Sequence, residues 1–294
     1  MNTKHKPIKG CSTAIVTPFK NGEIDFLSLS RLIERQIESG VLSIVLLGTT
    51  GESPTILYEE RDELIRRAKE TINGRASLIV GAGSNSTKNA IKLIQGAEKA
   101  GADGLLCVTP YYNKATPSSL AMHYKELARS TELDIILYNV PSRTGLSLGE
   151  ATLEALCEVE NIVAIKEASG DICELERKIA RFGEYFWFYS GCDELILPSY
   201  SVGAVGVISA VANVIPSKIA TLCTLIEENR WSEARELTHK LSPLIRELYA
   251  EVNPVPVKCA LSQLGLCENE LRLPLAPSTR EKQIAERLIS AGLN

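Results

Sequence analysis

A lysine stands at the end of an apolar run that should form a buried strand. The run Ile162-Val-Ala-Ile165 is rich in β-branched residues, is followed at once by Lys166, and ends near Gly170. Burial disfavours an ammonium ion, so such a lysine pairs with a carboxylate, reaches out to solvent, or is used in chemistry. A neutral amine attacks carbonyl carbons and forms a Schiff base. Lys166 is therefore the first candidate catalytic residue, and at this point the structural alternatives stay open.

Hydroxyl and guanidinium groups follow other predicted strands. Thr49 and Thr50 lie between two glycines, where backbone N–H groups either hold a carboxylate or form an ordinary turn. Tyr138 lies at the end of a predicted strand. Its hydroxyl either transfers protons in the reaction or belongs to a core tyrosine and is satisfied by a hydrogen bond. Arg143 lies in a polar turn, either as a solvated charge or as a bidentate ligand for a carboxylate.

Strands alternate with helices along most of the chain. Apolar runs predict strands at residues 10–17, 42–47, 77–81, 104–109, 134–139, 162–166, 186–190 and 204–210. Helical stripes predict helices at residues 28–39, 58–72, 86–100, 118–130, 148–159, 172–182 and 193–200. Eight strand–helix units in about 230 residues favour an α/β fold of the (β/α)8 TIM-barrel type over an open doubly wound sheet.

The last part of the chain has no strand pattern. Helices are predicted at residues 232–250, 256–264 and 279–293, which divides the chain into a barrel domain, residues 1–230, and a C-terminal helical region, residues 231–294. In a (β/α)8 barrel the active site lies at the carboxyl ends of the strands. The residues expected at this mouth are Thr49, Thr50, Tyr111, Tyr112, Tyr138, Arg143, Lys166, Gly191 and Ile208.

Composition argues against several classes of function. The net charge is −4 and no basic stripe is present, so nucleic acid is not an expected partner. No apolar run reaches about 18 residues, so no membrane partner is expected. The eight cysteines form no C-x-x-C pair and indicate free thiols in a reducing compartment, which favours the cytoplasm. The three histidines lack metal-ligand spacing, and no metal site is predicted.

Three motifs in order resemble the pyruvate-dependent class I aldolase family. They are Gly48-Thr-Thr-Gly-Glu-Ser53, Tyr138-Asn-Val-Pro-Ser-Arg-Thr-Gly145 and Ile165-Lys-Glu-Ala-Ser-Gly170. The resemblance covers nearly the whole chain, including Gly206-Val-Ile-Ser209 and the helical tail. The arginine in the second motif favours the synthase branch of the family. The alternative is another Schiff-base keto-acid lyase, similar to N-acetylneuraminate lyase. That branch of the family lacks the arginine.

The resemblance implies a mechanism. Lys166 would form a Schiff base with pyruvate, whose carboxylate Thr49 and Thr50 would hold. The resulting enamine would add to L-aspartate 4-semialdehyde, bound through its carboxylate by Arg143. The product would be 4-hydroxy-tetrahydrodipicolinate, an intermediate of the diaminopimelate route to lysine. Since the Schiff base supplies the electron sink, neither a metal nor an organic cofactor is implied.

The resemblance also implies a proton relay and an assembly. The relay would join Thr50, Tyr138 and Tyr112, with Tyr112 coming from the neighbouring subunit. This implies a dimer, and the family pattern implies a homotetramer built as a dimer of dimers. Gly191 and the carbonyl of Ile208 would line the pocket.

Two neighbouring features carry further expectations. Cys192 is expected to be an inert pocket thiol rather than a second nucleophile, since no base is evident beside it. Relatives inhibited by lysine typically have a histidine at the position of Tyr58 and an acidic residue at the position of Asn89. The sequence therefore predicts weak or absent feedback inhibition by lysine.

Overall fold

The computed structural model describes residues 6–293. Within this range, eight parallel strands close into a barrel, numbered strand 1 to strand 8 in chain order: Gly10–Ala14, Ser43–Leu46, Ser77–Gly81, Gly104–Val108, Asp134–Asn139, Ile162–Glu167, Trp187–Ser190 and Gly206–Ser209. Each strand pairs with the strands before and after it, and strand 8 pairs with strand 1. The predicted (β/α)8 barrel is confirmed.

Helices cover the outside of the barrel. Those up to strand 8 are α1 Phe26–Glu38, α2 Tyr58–Ile72, α3 Thr87–Lys99, α4 Pro117–Arg129, α5 Pro141–Thr144, α6 Glu150–Glu154, α7 Ile172–Phe182 and α8 Ile196–Ser201. After strand 8 come α9 Pro216–Glu227, α10 Trp231–Leu248, α11 Val255–Gln263 and α12 Glu281–Ser290. Among residues 6–293, none of these helices has both the length and the apolar character needed to cross a bilayer.

The helix predicted at residues 148–159 is wrong in length. Only the five residues of α6 are helical, and beyond Glu154 the backbone N–H groups of Leu156 and Val159 bond to carbonyls three residues back. These bonds form successive turns rather than an α-helix. The apolar pattern that predicted a helix over residues 148–159 therefore continues past the end of α6. Helix α9 and a hairpin pairing Phe19–Lys20 with Glu23–Ile24 were not predicted. The Asn21-Gly22 turn, with both φ angles positive, is a hairpin signal that the sequence does carry.

The apolar residues form two clusters on opposite faces of the strands. The larger cluster packs between the strands and the helices. The smaller one fills the barrel interior and includes Ile136, Tyr138, Ala164, Tyr189 and Ile208. Since side chains alternate across a strand, the parity of each position decides which cluster a residue joins.

An irregularity in strand 6 sets the parity of Lys166. Ile135 of strand 5 pairs with Ile162, but Ile136 pairs with Ala164, so Val163 is an extra residue. Val163 and Ala164 both join the interior cluster, whereas Ile162 packs outside. After this bulge, alternation places Ile165 outside and Lys166 inside, level with Tyr138 and Tyr189 on the neighbouring strands.

Glu167, the next residue, faces the helices and is fully engaged there. Its carboxylate accepts hydrogen bonds from Asn139 Nδ2 at 2.8 and 2.9 Å and from the Ser169 N–H at 2.8 Å. Lys178 of α7 donates to it at 2.7 Å, and both side chains of this ion pair are 2% exposed. The carboxylate closest to Lys166 in sequence is therefore neutralised on the other face of the strand.

The C-terminal helices pack on the barrel rather than standing apart from it. Lys258 of α11 is buried and forms an ion pair with Glu52, in the loop after strand 2, at 2.5 Å. The Lys258 ammonium also donates to the Glu270 carbonyl at 2.8 Å. The domain boundary at residue 231 stays a prediction, and residues 1–5 and 294 of the two predicted domains lie outside the described residues.

Removing Lys178 should destabilise the barrel strongly, because it leaves the Glu167 carboxylate buried without its cation. We expect Lys178→Ala to lower the free energy of unfolding by about 3–5 kcal/mol, measured by urea denaturation. The matched control is Glu174→Ala, because Glu174 is a more exposed second partner of Lys178 at 2.6 Å. That change should cost only about 0–1 kcal/mol. Equal losses in the two variants would contradict this account of Glu167.

Candidate active site

A cavity of about 450 Å³ opens at the carboxyl ends of the strands. Seven of the nine residues expected at the mouth line it: Thr49, Thr50, Tyr138, Arg143, Lys166, Gly191 and Ile208. They come from strands 5, 6 and 8 and from the segments that follow strands 2, 5 and 7. Closure of the barrel therefore brings together residues up to 159 positions apart, from Thr49 to Ile208.

Lys166 is 6% exposed, and its Nζ lies 4.5 Å from the centroid of the Tyr138 ring. Among residues 6–293, no ion pair involves this amine. An aromatic face attracts a cation more weakly than a carboxylate does. The structural alternatives for Lys166, a carboxylate pair or extension into solvent, do not describe its position.

The loop that carries Thr49 and Thr50 is held from several sides. Leu47 and Glu52 have left-handed φ angles of 57° and 52°, which turn the chain across the barrel mouth. A Cβ at Gly81 would lie 2.0 Å from the Leu47 carbonyl oxygen, so strand 3 needs a glycine where this loop passes. The buried Arg61 guanidinium donates to the Gly81 carbonyl at 2.8 Å. Burial lowers the pKa of Arg61 to about 10, so it remains a cation at neutral pH.

Tyr138 and Arg143 occupy the same side of the mouth. Tyr138 ends strand 5 inside the barrel, and Arg143 lies on the single turn α5, which begins at Pro141 and ends at Gly145. The Arg143 side chain is exposed toward the mouth, and its Nη2 donates to the Asn253 carbonyl at 3.1 Å. The guanidinium therefore has donors left for an incoming anion.

Gly191 makes room for the lysine. A Cβ at this position would lie 3.0 Å from Lys166 Cε and 2.7 Å from Ala168 Cβ. Cys192 follows, and burial raises the pKa of its thiol to about 11. Because the thiolate is the nucleophilic form of cysteine, this raised pKa supports the expectation of an inert thiol.

Tyr112, like its neighbour Tyr111, was expected at the mouth but does not line the cavity. Its side chain is 89% exposed and its backbone has a φ of 73°, an uncommon conformation for a residue with a side chain. The adjacent Tyr111 lines a second groove of about 540 Å³, which shares Tyr138 and Arg143 with the cavity. A single chain thus leaves Tyr112 outside, and its supply by a neighbouring subunit stays a prediction.

Sequence reasoning missed residues from two other segments. Asp193, after strand 7, lines the cavity, and its carboxylate accepts the Tyr249 hydroxyl at 2.6 Å. Burial raises the pKa of the Tyr249 hydroxyl well above its usual value, and the negative charge of Asp193 raises it further. The hydroxyl therefore keeps its proton and remains a donor. Asn253, also in the cavity wall, donates from Nδ2 to Thr50 Oγ1 at 2.9 Å. The sequence analysis places Asn253-Pro254 only within the C-terminal helical region. No motif near these two residues indicates a functional role.

The fold and the cavity together define a class: a (β/α)8 barrel with a buried lysine, without an ion pair to any described residue, among hydroxyl groups and an arginine at its mouth. The chain belongs to the dihydrodipicolinate synthetase family, whose model matches residues 7–291. This places it within the group of proteins that the three sequence motifs resemble.

Individual relatives agree with this assignment. A 4-hydroxy-tetrahydrodipicolinate synthase from Thermotoga petrophila is 46% identical over 277 residues, which cover 93% of this chain and 94% of that protein. The crystal structure of dihydrodipicolinate synthase from Thermotoga maritima matches with a TM-score of 0.95 and 43% identity, covering 97% of this chain and 99% of that one. A monomeric dihydrodipicolinate synthase variant matches with a TM-score of 0.96 and 43% identity, covering 97% of each chain.

Adding one methyl group at Gly191 should displace the Lys166 side chain, since the new Cβ would lie within 3.0 Å of Cε. A displacement of about 1 Å at a reacting group can cost on the order of 100-fold in rate. We therefore expect Gly191→Ala to slow adduct formation between Lys166 and an α-keto acid by about 10- to 100-fold. Mass spectrometry after borohydride quenching measures this rate.

Gly149→Ala is the matched control for this change. No atom of the described residues lies within 4 Å of a Cβ at Gly149, and its φ of −81° suits alanine. Its adduct should form at the wild-type rate. A wild-type rate in Gly191→Ala as well would show that Gly191 is not needed to seat Lys166.

Proposed function

We propose that this chain is a Schiff-base lyase that condenses pyruvate with L-aspartate 4-semialdehyde to give 4-hydroxy-tetrahydrodipicolinate, a step in diaminopimelate and lysine biosynthesis. The observation that carries the proposal is the buried amine of Lys166, which forms no ion pair within residues 6–293, in a cavity whose rim holds Arg143. The names of the relatives support the same reaction. The free state of all eight cysteines supports a cytoplasmic setting.

The first half of the reaction takes place at Lys166. Its Nζ lone pair attacks C2 of pyruvate, and loss of water leaves an iminium ion. The carboxylate of pyruvate is held at the Thr49–Thr50 turn. The iminium withdraws electrons, so the methyl group gives up a proton to the hydroxyl relay of Tyr138 and Thr50 and becomes a nucleophilic enamine carbon.

The second half joins the two substrates. The enamine carbon attacks the aldehyde carbon, and the relay returns a proton to the aldehyde oxygen. Arg143 holds the carboxylate of the semialdehyde through the donors it leaves free at the mouth. The substrate amine then attacks C2, the bond from C2 to Lys166 Nζ breaks, and the ring closes with the lysine released.

A subunit interface at the mouth completes the proposed site. Tyr58 and Tyr111 are exposed aromatic residues that line the groove beside the cavity, and the protruding Tyr112 adjoins them. Exposed apolar patches of this kind are typical of protein–protein contacts. A dimer at this face, paired again into a homotetramer, would carry Tyr112 into the partner's cavity. One of the similar structures is a monomeric variant of dihydrodipicolinate synthase. Weak feedback inhibition by lysine stays a prediction.

Borohydride reduction in the presence of pyruvate should trap an adduct on Lys166, located by peptide mass spectrometry, and Lys166→Arg should abolish it. Arg143→Ala should keep the adduct, because pyruvate does not need the guanidinium, but turn over the semialdehyde at least about 100-fold more slowly. Turnover without any modification of Lys166 would overturn the Schiff-base proposal. Rapid cleavage of N-acetylneuraminate, together with no use of the semialdehyde, would favour the alternative lyase.

Mixing two inactive variants tests the role of Tyr112. Lys166→Ala and Tyr112→Phe each inactivate their own homodimers. In a mixed dimer, the chain that keeps Lys166 receives an intact Tyr112 from its partner, so one of the two sites works. Random exchange should restore roughly a quarter of the wild-type sites, measured by steady-state turnover after co-refolding. No recovery in a mixture that forms dimers would show that Tyr112 does not act across the interface.

A further inference from the structure

Asn253 lies between the residues proposed for the two substrates. It stands in the loop between α10 and α11 and lines both the Lys166 cavity and the adjoining groove. Its side-chain Nδ2 donates to Thr50 Oγ1 at 2.9 Å, and its backbone carbonyl accepts from Arg143 Nη2 at 3.1 Å. Asn253 therefore contacts the turn for the pyruvate carboxylate and the arginine for the semialdehyde carboxylate.

The other atom of its carboxamide is unused. Asn253 Oδ1 is buried and accepts no hydrogen bond from the described residues. A buried acceptor without a donor destabilises a protein, so an atom of this kind needs an explanation. Since Asn253 lines the cavity proposed for the substrates, a donor supplied by the substrate is the natural explanation.

The semialdehyde offers such a donor in the right place. Its α-carbon bears both the carboxylate and an ammonium group, so binding the carboxylate at Arg143 brings N–H donors next to residue 253. The carboxylates of Asp193 and Glu194 in the cavity wall are engaged elsewhere. Asp193 accepts from the Tyr249 hydroxyl, the Ser209 hydroxyl and a backbone N–H. The carboxylate of Glu194 is directed toward Arg246, at 3.6 Å.

We propose that Asn253 selects the α-amino group of the aldehyde substrate, with Oδ1 accepting one of its N–H groups. This inference rests on the proposed function and adds a specificity-determining residue to it. A neutral oxygen suits the reaction, because the nitrogen must become a free amine before it attacks C2. A carboxylate at this position would bind the nitrogen as a cation and favour its protonated form.

Two aldehydes test the proposal with enzyme already loaded with pyruvate. The first is L-aspartate 4-semialdehyde, and the second is succinic semialdehyde, which has hydrogen in place of the amino group. The readout is the second-order rate constant for loss of the borohydride-trappable pyruvate adduct on Lys166. Wild-type enzyme should prefer the amino aldehyde by at least about tenfold, and Asn253→Ala should reduce that preference by about 10- to 100-fold.

The controls separate recognition from positioning. Loss of the hydrogen bond to Thr50 would slow both aldehydes equally and leave the preference unchanged. Asn253→Asp keeps an acceptor, so it should keep the preference even if turnover falls. Asn269→Ala removes another buried carboxamide oxygen that lacks a donor, but one that does not line the cavity, and should change neither rate.

Three results would overturn the proposal: equal rates with both aldehydes in the wild-type enzyme, an unchanged preference in Asn253→Ala, or an Asp variant that loses as much preference as the Ala variant. The wild-type comparison decides the matter even if Asn253→Ala fails to fold. Failure of the proposed function has a different signature: either no pyruvate adduct forms on Lys166 before any aldehyde is added, or, for the alternative lyase, neither aldehyde consumes the adduct.

Discussion

The site depends on keeping the amine of Lys166 buried without a carboxylate beside it. A buried ion pair would hold the lysine as a cation, whereas the proposed Schiff base needs the free amine. The neighbouring residue, Glu167, satisfies this constraint because its side chain faces outward. There its carboxylate accepts hydrogen bonds from Lys178 and Asn139. The interior of the barrel offers Lys166 the face of the Tyr138 ring instead. The outer ion pair and the inner amine are thus two results of one strand alternation.

The alternation directs Lys166 into the barrel only because strand 6 contains an irregularity that cannot be recognised in the sequence. Without the extra residue at Val163, strict alternation from the outward-facing Ile162 would turn Lys166 toward the helices and Glu167 into the barrel. Nothing in the run Ile162-Val-Ala-Ile165 marks a bulge, since all four residues are apolar and suit either face. The position of Lys166 at the mouth could be predicted from the order of strands, but its direction followed from the motif rather than from periodicity.

The same contrast runs through the rest of the fold. Strands 3 and 5 and helices α2 and α7 were predicted to the residue, because Gly, Pro and polar clusters bound each apolar pattern. Seven residues of the candidate site were found because each lies at the carboxyl end of a strand or in the segment that follows it. Asn253 escaped because its partner, Thr50, lies 203 positions earlier, and a carboxamide before a proline carries no local signal of function. Long-range pairing of this kind is decided by packing, not by pattern.

The packing that brings Asn253 to the mouth is itself fixed by charge. Lys258, five residues later, reaches Glu52 in the loop that carries Thr49 and Thr50. Burial lowers the pKa of Lys258 and the neighbouring carboxylate opposes that shift, so the lysine and Glu52 each need the other. A buried pair contributes little net stability compared with apolar residues, but leaving either charge alone is costly, so it favours one arrangement of the two segments. The segment before α11 is thereby held against the Thr loop, and the wall of the cavity is completed from the far end of the chain.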